Sequence, residues 1–206
     1  MPSGVAAGAI GVAIAYAVLR VVLALLSLPA ASVWSDAAEQ GIAYEDVELV
    51  AYDWVVVLLV PLTLATYVVG CLWLYQSRTF ADAVNPAYHH RLRPVWAWIS
   101  WFIPVVALWF PYLVVADVRR ATARNRLMAG MGLWWACWLV PGVCDQITTQ
   151  LTGGWLGTLP LTPAVAAYPL FEWLAALLVC VGCWLWVAMI RELTAAQREW
   201  EITPVA

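Results

Sequence analysis

Long apolar runs, separated only by short charged stretches, constrain this chain more than any motif in it. The sequence has ten basic residues, all arginine and no lysine. Nine of them fall in three short stretches: Arg78, Arg91 and Arg93; Arg119, Arg120, Arg124 and Arg126; Arg191 and Arg198. Only Arg20 stands by itself inside an apolar run. A segment surrounded by lipid must satisfy its own backbone hydrogen bonds, so runs of about 20 apolar residues predict membrane-crossing helices. With 65% hydrophobic and 11% charged residues, the chain has too little polar material for a water-facing shell. The predicted fold is therefore all-α, a polytopic helical bundle forming one membrane domain over residues 1–206.

Five apolar segments can be drawn, at about 4–31, 49–75, 95–116, 127–150 and 164–190. The first is expected to be a retained span and not a cleaved signal, because no basic residue precedes it and it is too long for a signal core. Between the segments lie an acidic loop at 32–48, a basic loop from Ser77 to Pro94, a basic stretch from Asp117 to Arg126, and an uncharged Gly/Pro loop at 152–163.

Counting arginines against possible topologies favours four spans over five. If Val95–Ala116 crosses fully, six loop arginines lie on one side and three on the other. If that segment enters and leaves on one side, all nine share the cytoplasmic face, as the positive-inside bias prefers. Pro104 and Pro111 sit within it, and each removes a backbone donor and crowds the preceding turn. The expectation is four spans plus one Pro-broken, re-entrant or kinked segment, with both termini cytoplasmic in the cell membrane. Five full spans is the alternative.

The block Trp96-Ala-Trp98, Trp101-Phe-Ile-Pro104, Leu108-Trp109 and Pro111-Tyr-Leu-Val-Val-Ala-Asp117 lies between Leu74-Tyr75-Gln-Ser-Arg78 and Leu133-Trp-Trp135-Ala-Cys-Trp138. Together with the ending Arg191-Glu-Leu-Thr and Gln197, this pattern resembles the bacterial membrane family called domain of unknown function 4328. The resemblance covers roughly residues 50–200. It implies a small multipass protein and supplies no chemistry.

Charge inside the apolar runs marks the first set of candidate residues: Arg20, Asp53, Asp145 and Glu172. Unpaired charge in a bilayer costs at least a few kcal/mol, so Arg20 is expected to lie near one of the three acids. A structural ion pair, an outward-facing polar cavity or an ion path would each use these residues. Arg91, Arg93, Arg119, Arg120, Arg124 and Arg126 form the second set, as contacts for anionic lipid headgroups or as topology signals alone.

No catalytic, cofactor or metal set is recognised. There is no Gly-x-Ser-x-Gly, His-Glu-x-x-His or P-loop pattern. The pair His89-His90 lacks further ligands. Cys180-x-x-Cys183 lies mid-helix, and all five cysteines read as small packing residues. Gly4, Gly8 and Gly11 form a small-residue face suited to close helix packing, within the chain or with a second copy. Residues Ile190–Trp200 continue the last segment as an amphipathic extension.

The net charge of −3 speaks against nucleic acid as a partner. The expected partners are the bilayer, anionic headgroups, and a protein partner or second copy. The leading functional expectation is a non-enzymatic membrane component that binds protein partners or anionic lipid. A small transporter or channel using the charged residues and the broken third segment is the alternative. A membrane-embedded enzyme is third.

Overall fold

A computed structural model describes residues 3–103, 105–122, 130–154, 161 and 163–202 of the chain. Pro104, Arg124 and Arg126 lie outside the described residues. Every described element is helical: α1 (Ser3–Glu39), α2 (Ala51–Val56), α3 (Leu59–Val84), α4 (Trp96–Ile99), α5 (Phe110–Thr122), α6 (Met131–Leu151) and α7 (Tyr168–Ile202). Short 3-10 turns cover Tyr44–Asp46, Val106–Leu108 and Pro163–Ala167. Among the described residues, three helical stretches are long and apolar enough to cross a membrane: Gly4–Glu39, Ala51–Val84 and Pro163–Trp200. Helix α6 is 21 residues long, about 30 Å at 1.5 Å per residue, but it ends in the polar run Asp145–Gln150.

Several helices outrun the apolar segments that predict them. Helix α1 continues to Glu39, through the first part of the acidic loop, because Trp34 and Ala37 are buried. Helix α3 continues to Val84, so Arg78 is helical and buried instead of sitting in a loop. Burial of one face carries a helix past the point where its sequence turns polar. The second segment is also split, at Val57 and Leu58. Pro61 explains the break: it has no N–H for the carbonyl of Val57, and its ring crowds that carbonyl.

The end of α1 is fixed by Gly41. Its φ is 70°, a left-handed conformation. Gly41 N–H donates to the Ala38 carbonyl at 3.1 Å and Ile42 N–H to the Ala37 carbonyl at 3.0 Å. This is the paired closure that satisfies a helix's last carbonyls. A Cβ at Gly41 would meet no atom within 4 Å. The expected cost of Gly41→Ala is therefore conformational alone, about 1 kcal/mol, read as a lowered melting temperature in detergent micelles.

The described chain forms two compact units. The first comprises 1–13, 64–135 and 184–206, and its interior is rich in tryptophan. Trp134 stacks on Trp186 with ring centroids 5.5 Å apart, and Trp73 meets Trp186 edge-on at 5.1 Å. Gly8 approaches α3 closely, with Val69 Cγ1 3.4 Å from where a Cβ would stand, whereas Gly4 and Gly11 have no such neighbour. The amphipathic extension packs inward here: Ile190, Leu193 and Gln197 are buried, and Trp200 Nε1 donates to the Thr122 carbonyl at 3.0 Å.

The second unit comprises 14–63 and 136–183. Its core gathers Leu19, Leu23, Trp34, Tyr52, Val165 and Tyr168. Helices α6 and α7 come very close at Gly182, where a Cβ would stand 3.1 Å from Cys137 Cβ. Cys180 and Cys183, one turn apart beside this contact, are free thiols, half-buried.

Candidate functional site

The second unit holds Arg20, Asp53, Asp145 and Glu172, and it sorts them into three separate arrangements. Arg20 projects from α1 and is buried, with 4% of its side chain exposed. Its Nη1 and Nη2 donate to the two oxygens of Asp145 on α6, at 2.9 and 2.5 Å. This is the bidentate fork that guanidinium and carboxylate form best. Nε donates to the Tyr16 hydroxyl at 3.3 Å, one turn back on α1, and the cation stands 5.6 Å from the Tyr16 ring centre. All three guanidinium nitrogens are thereby engaged.

Glu172 lies one turn into α7 and is buried. Its Oε1 accepts from the Tyr52 hydroxyl at 3.1 Å, and Tyr168 donates in turn to Tyr52 at 2.8 Å. Oε2 is buried with no hydrogen-bond partner. Tyr52, Tyr168 and Tyr44 surround Trp34 edge-on, with ring centres 4.8–5.6 Å apart. Edge-to-face pairs of this kind contribute on the order of 1 kcal/mol each beyond their buried area.

Asp53 is apart from both. It accepts the Val50 N–H at 2.8 Å, satisfying an orphan donor at the start of α2, and it also accepts the Tyr44 hydroxyl. Burial and this neighbouring carboxylate push the Tyr44 hydroxyl well above the usual tyrosine range. Asp53 thus ties the loop before α2 to its own helix.

In the first unit, the two ends of the 95–116 segment meet. The carboxylate of Asp117, on α5 and only 1% exposed, accepts the Arg91 N–H at 2.8 Å and the Tyr88 hydroxyl at 3.5 Å. Arg91 Nε stands 3.9 Å from the same carboxylate. Asn85 Nδ2 donates to the Ala121 carbonyl at 3.2 Å. Asn85 and Trp200 therefore satisfy successive carbonyls at the C-terminus of α5, a position that demands such partners. Within the segment the helix is interrupted between Ile99 and Phe110, and Trp96 and Phe110 touch with ring centres 4.7 Å apart. A straight helix would separate these two residues by about 21 Å.

The arginines around this base divide by exposure. Arg91, Arg93 and Arg120 are exposed. Arg78 is buried, with Nε 3.1 and 3.2 Å from the two Asp82 oxygens and Nη1 donating to the Leu92 carbonyl at 3.1 Å. Arg119 is buried too, and Glu192 is the acid whose field reaches it.

His90, next to Arg91 in the chain, has both ring nitrogens buried. Its Nε2 is 3.2 Å from Asp82 Oδ1 without the alignment of a hydrogen bond, and its ring meets Tyr88 at 4.7 Å. Burial, reinforced by Arg78, holds the imidazole below its ordinary value of 6.5, against the pull of Asp82 and Asp117. A loosened loop therefore binds protons more readily than the docked one. Docking of residues 86–93 is expected to weaken as pH falls below 6.5 toward that lowered value. Hydrogen exchange of this loop on either side of that pH checks it, and His90→Leu should flatten the dependence.

Sequence reasoning singled out the charged residues but not their partners. Tyr16, Tyr52 and Tyr168 carried no signal, since tyrosine is ordinary in such segments. Asp117 did carry one: it is the single acid at the junction between an uncharged segment and a basic stretch. Among the described residues no group of three or more His, Cys, Asp or Glu side chains is placed to hold a metal ion.

The model of the family Domain of unknown function (DUF4328) matches residues 36–195, and the chain belongs to that family. No curated protein and no solved structure shows significant similarity to it.

Proposed function

We propose that the chain is a non-enzymatic component of the bacterial cytoplasmic membrane that holds anionic lipid headgroups on a basic cytoplasmic face. In this reading it crosses the bilayer four times, keeps both termini inside, and folds residues 95–116 back as a re-entrant hairpin. The observation that carries it is the closed base of that segment, where Arg91 N–H meets the Asp117 carboxylate at 2.8 Å. As a full span, 22 residues of helix would part its ends by about 33 Å. With the base closed, the arginine stretches on both sides of the hairpin fall on one side of the membrane, as the positive-inside bias favours.

Arg91, Arg93 and Arg120 supply the binding face, with Arg124 and Arg126 following in sequence. Each basic residue near an anionic surface contributes about 1 kcal/mol. The packing of Ile190, Leu193 and Gln197 inside the first unit favours lipid over a protein docked on that extension.

Two experiments test this. On a cysteine-free background, single cysteines at Ala83 and Arg120 should both be labelled from the cytoplasmic side; labelling of position 120 from outside would establish five spans. Native mass spectrometry should show anionic lipid retained by the wild type and lost from the triple variant Arg91→Gln, Arg93→Gln, Arg120→Gln. Equal retention would remove the lipid role.

A second reading, a small transporter or channel, draws on the buried charges of the second unit. Ionisable groups in membrane helices mark ion and proton paths more often than chance. Ion or solute flux in liposomes that disappears in Asp145→Asn would replace the first reading with this one.

A further inference from the structure

We propose that Glu172 is a proton-binding site: its carboxyl carries a proton on Oε2 at rest, and releases it when Arg20 leaves Asp145. The argument starts from Arg20. Its two terminal nitrogens bond Asp145 and its third bonds Tyr16. These bonds use three of the five guanidinium N–H donors, and Arg20 gives no hydrogen bond to Glu172.

Glu172 has very little else. A carboxylate has about four acceptor positions to fill. Glu172 receives one hydrogen bond on Oε1, from Tyr52, and none on Oε2, which is buried. The residue is 3% exposed, and its hydrogen-bond partner Tyr52 belongs to the apolar core of the second unit. Charge left on a bare oxygen in such surroundings is far more costly than a neutral carboxyl.

The titratable and charged groups that face it are Arg20 from α1, Tyr52 from α2, Cys144 and Asp145 from α6, and Tyr168 on its own helix. One arginine and one aspartate already balance, so a second negative charge here would be uncompensated. With Glu172 neutral the group as a whole is neutral.

The exchange balances simply. The proton leaves Oε2 and ends, by way of water, on the exposed Asp145 carboxylate, while the Glu172 carboxylate so formed takes over the guanidinium fork, so the group stays neutral throughout. Asp145 is the partner able to yield, because 41% of its side chain is exposed whereas Arg20 is buried. Tyr168 and Tyr52 form a donor chain leading to Glu172 Oε1.

Infrared difference spectroscopy of the reconstituted protein at neutral pH tests the proposal. The wild type should show a carboxylic acid C=O band, sensitive to deuterium exchange and absent in Glu172→Gln. Tyr52→Phe, which removes the hydrogen bond to Oε1, should shift the band to higher frequency. Asp145→Asn frees Arg20 and should replace the band with carboxylate bands. A wild type with only carboxylate bands at Glu172 would overturn the assignment. Should Glu172→Gln fail to fold, a Tyr52→Phe spectrum unchanged in the carboxylic acid region would overturn it equally.

Discussion

Combining Asp145→Asn with Glu172→Gln is expected to destabilise the protein by roughly 3–5 kcal/mol, the cost of leaving a buried charge without its partner. Arg20 is 4% exposed, so its guanidinium has no ready route to water. In Asp145→Asn alone, Glu172 can ionise and take the fork, and the loss should be smaller. In Glu172→Gln alone, the Arg20–Asp145 pair stands and the loss should be smaller still. The double variant should therefore lose more than the two singles added together. Arg20→Leu should be milder than the double variant, since the acid it orphans is partly exposed. Unfolding in mixed detergent micelles, fitted as a two-state transition, measures all four. Additivity of the single variants would show that Glu172 does not exchange with Asp145.

Asp117→Ala should open the base of the hairpin at a cost of about 2 kcal/mol, the typical value of hydrogen bonding to a charged group. The substitution removes the acceptor of the Arg91 N–H and of the Tyr88 hydroxyl, at a site almost closed to solvent. Asp117→Asn keeps an acceptor oxygen and should lose about half as much. Hydrogen exchange should rise in residues 86–93 and in α5 while the second unit keeps its protection. A spread of the loss into the second unit would mean that Asp117 serves the whole fold.

The apolar runs were enough by themselves to anticipate an all-helical chain with helices long and apolar enough to cross a membrane. A break near Pro104–Pro111 was also expected from local pattern, and among the described residues α-helix is interrupted between Ile99 and Phe110. The helix ends were legible less well. Helices α1 and α3 run on because Trp34 and Arg78 are buried, and burial depends on neighbours remote in sequence.

The pairing of charges was the tertiary structure's to decide. Three acids were open to Arg20, and Asp145 is its partner across 125 residues of chain. Asp53 instead closes the start of its own helix, and Glu172 turns to Tyr52. Sequence sets how deep a residue sits along its helix, at 1.5 Å per step. Which side chains meet depends on how each helix is rotated about its axis against the others, and that rotation is set by packing over the whole bundle. The same applies to Arg78 and Arg119, which the sequence groups with the surface arginines and the packing buries.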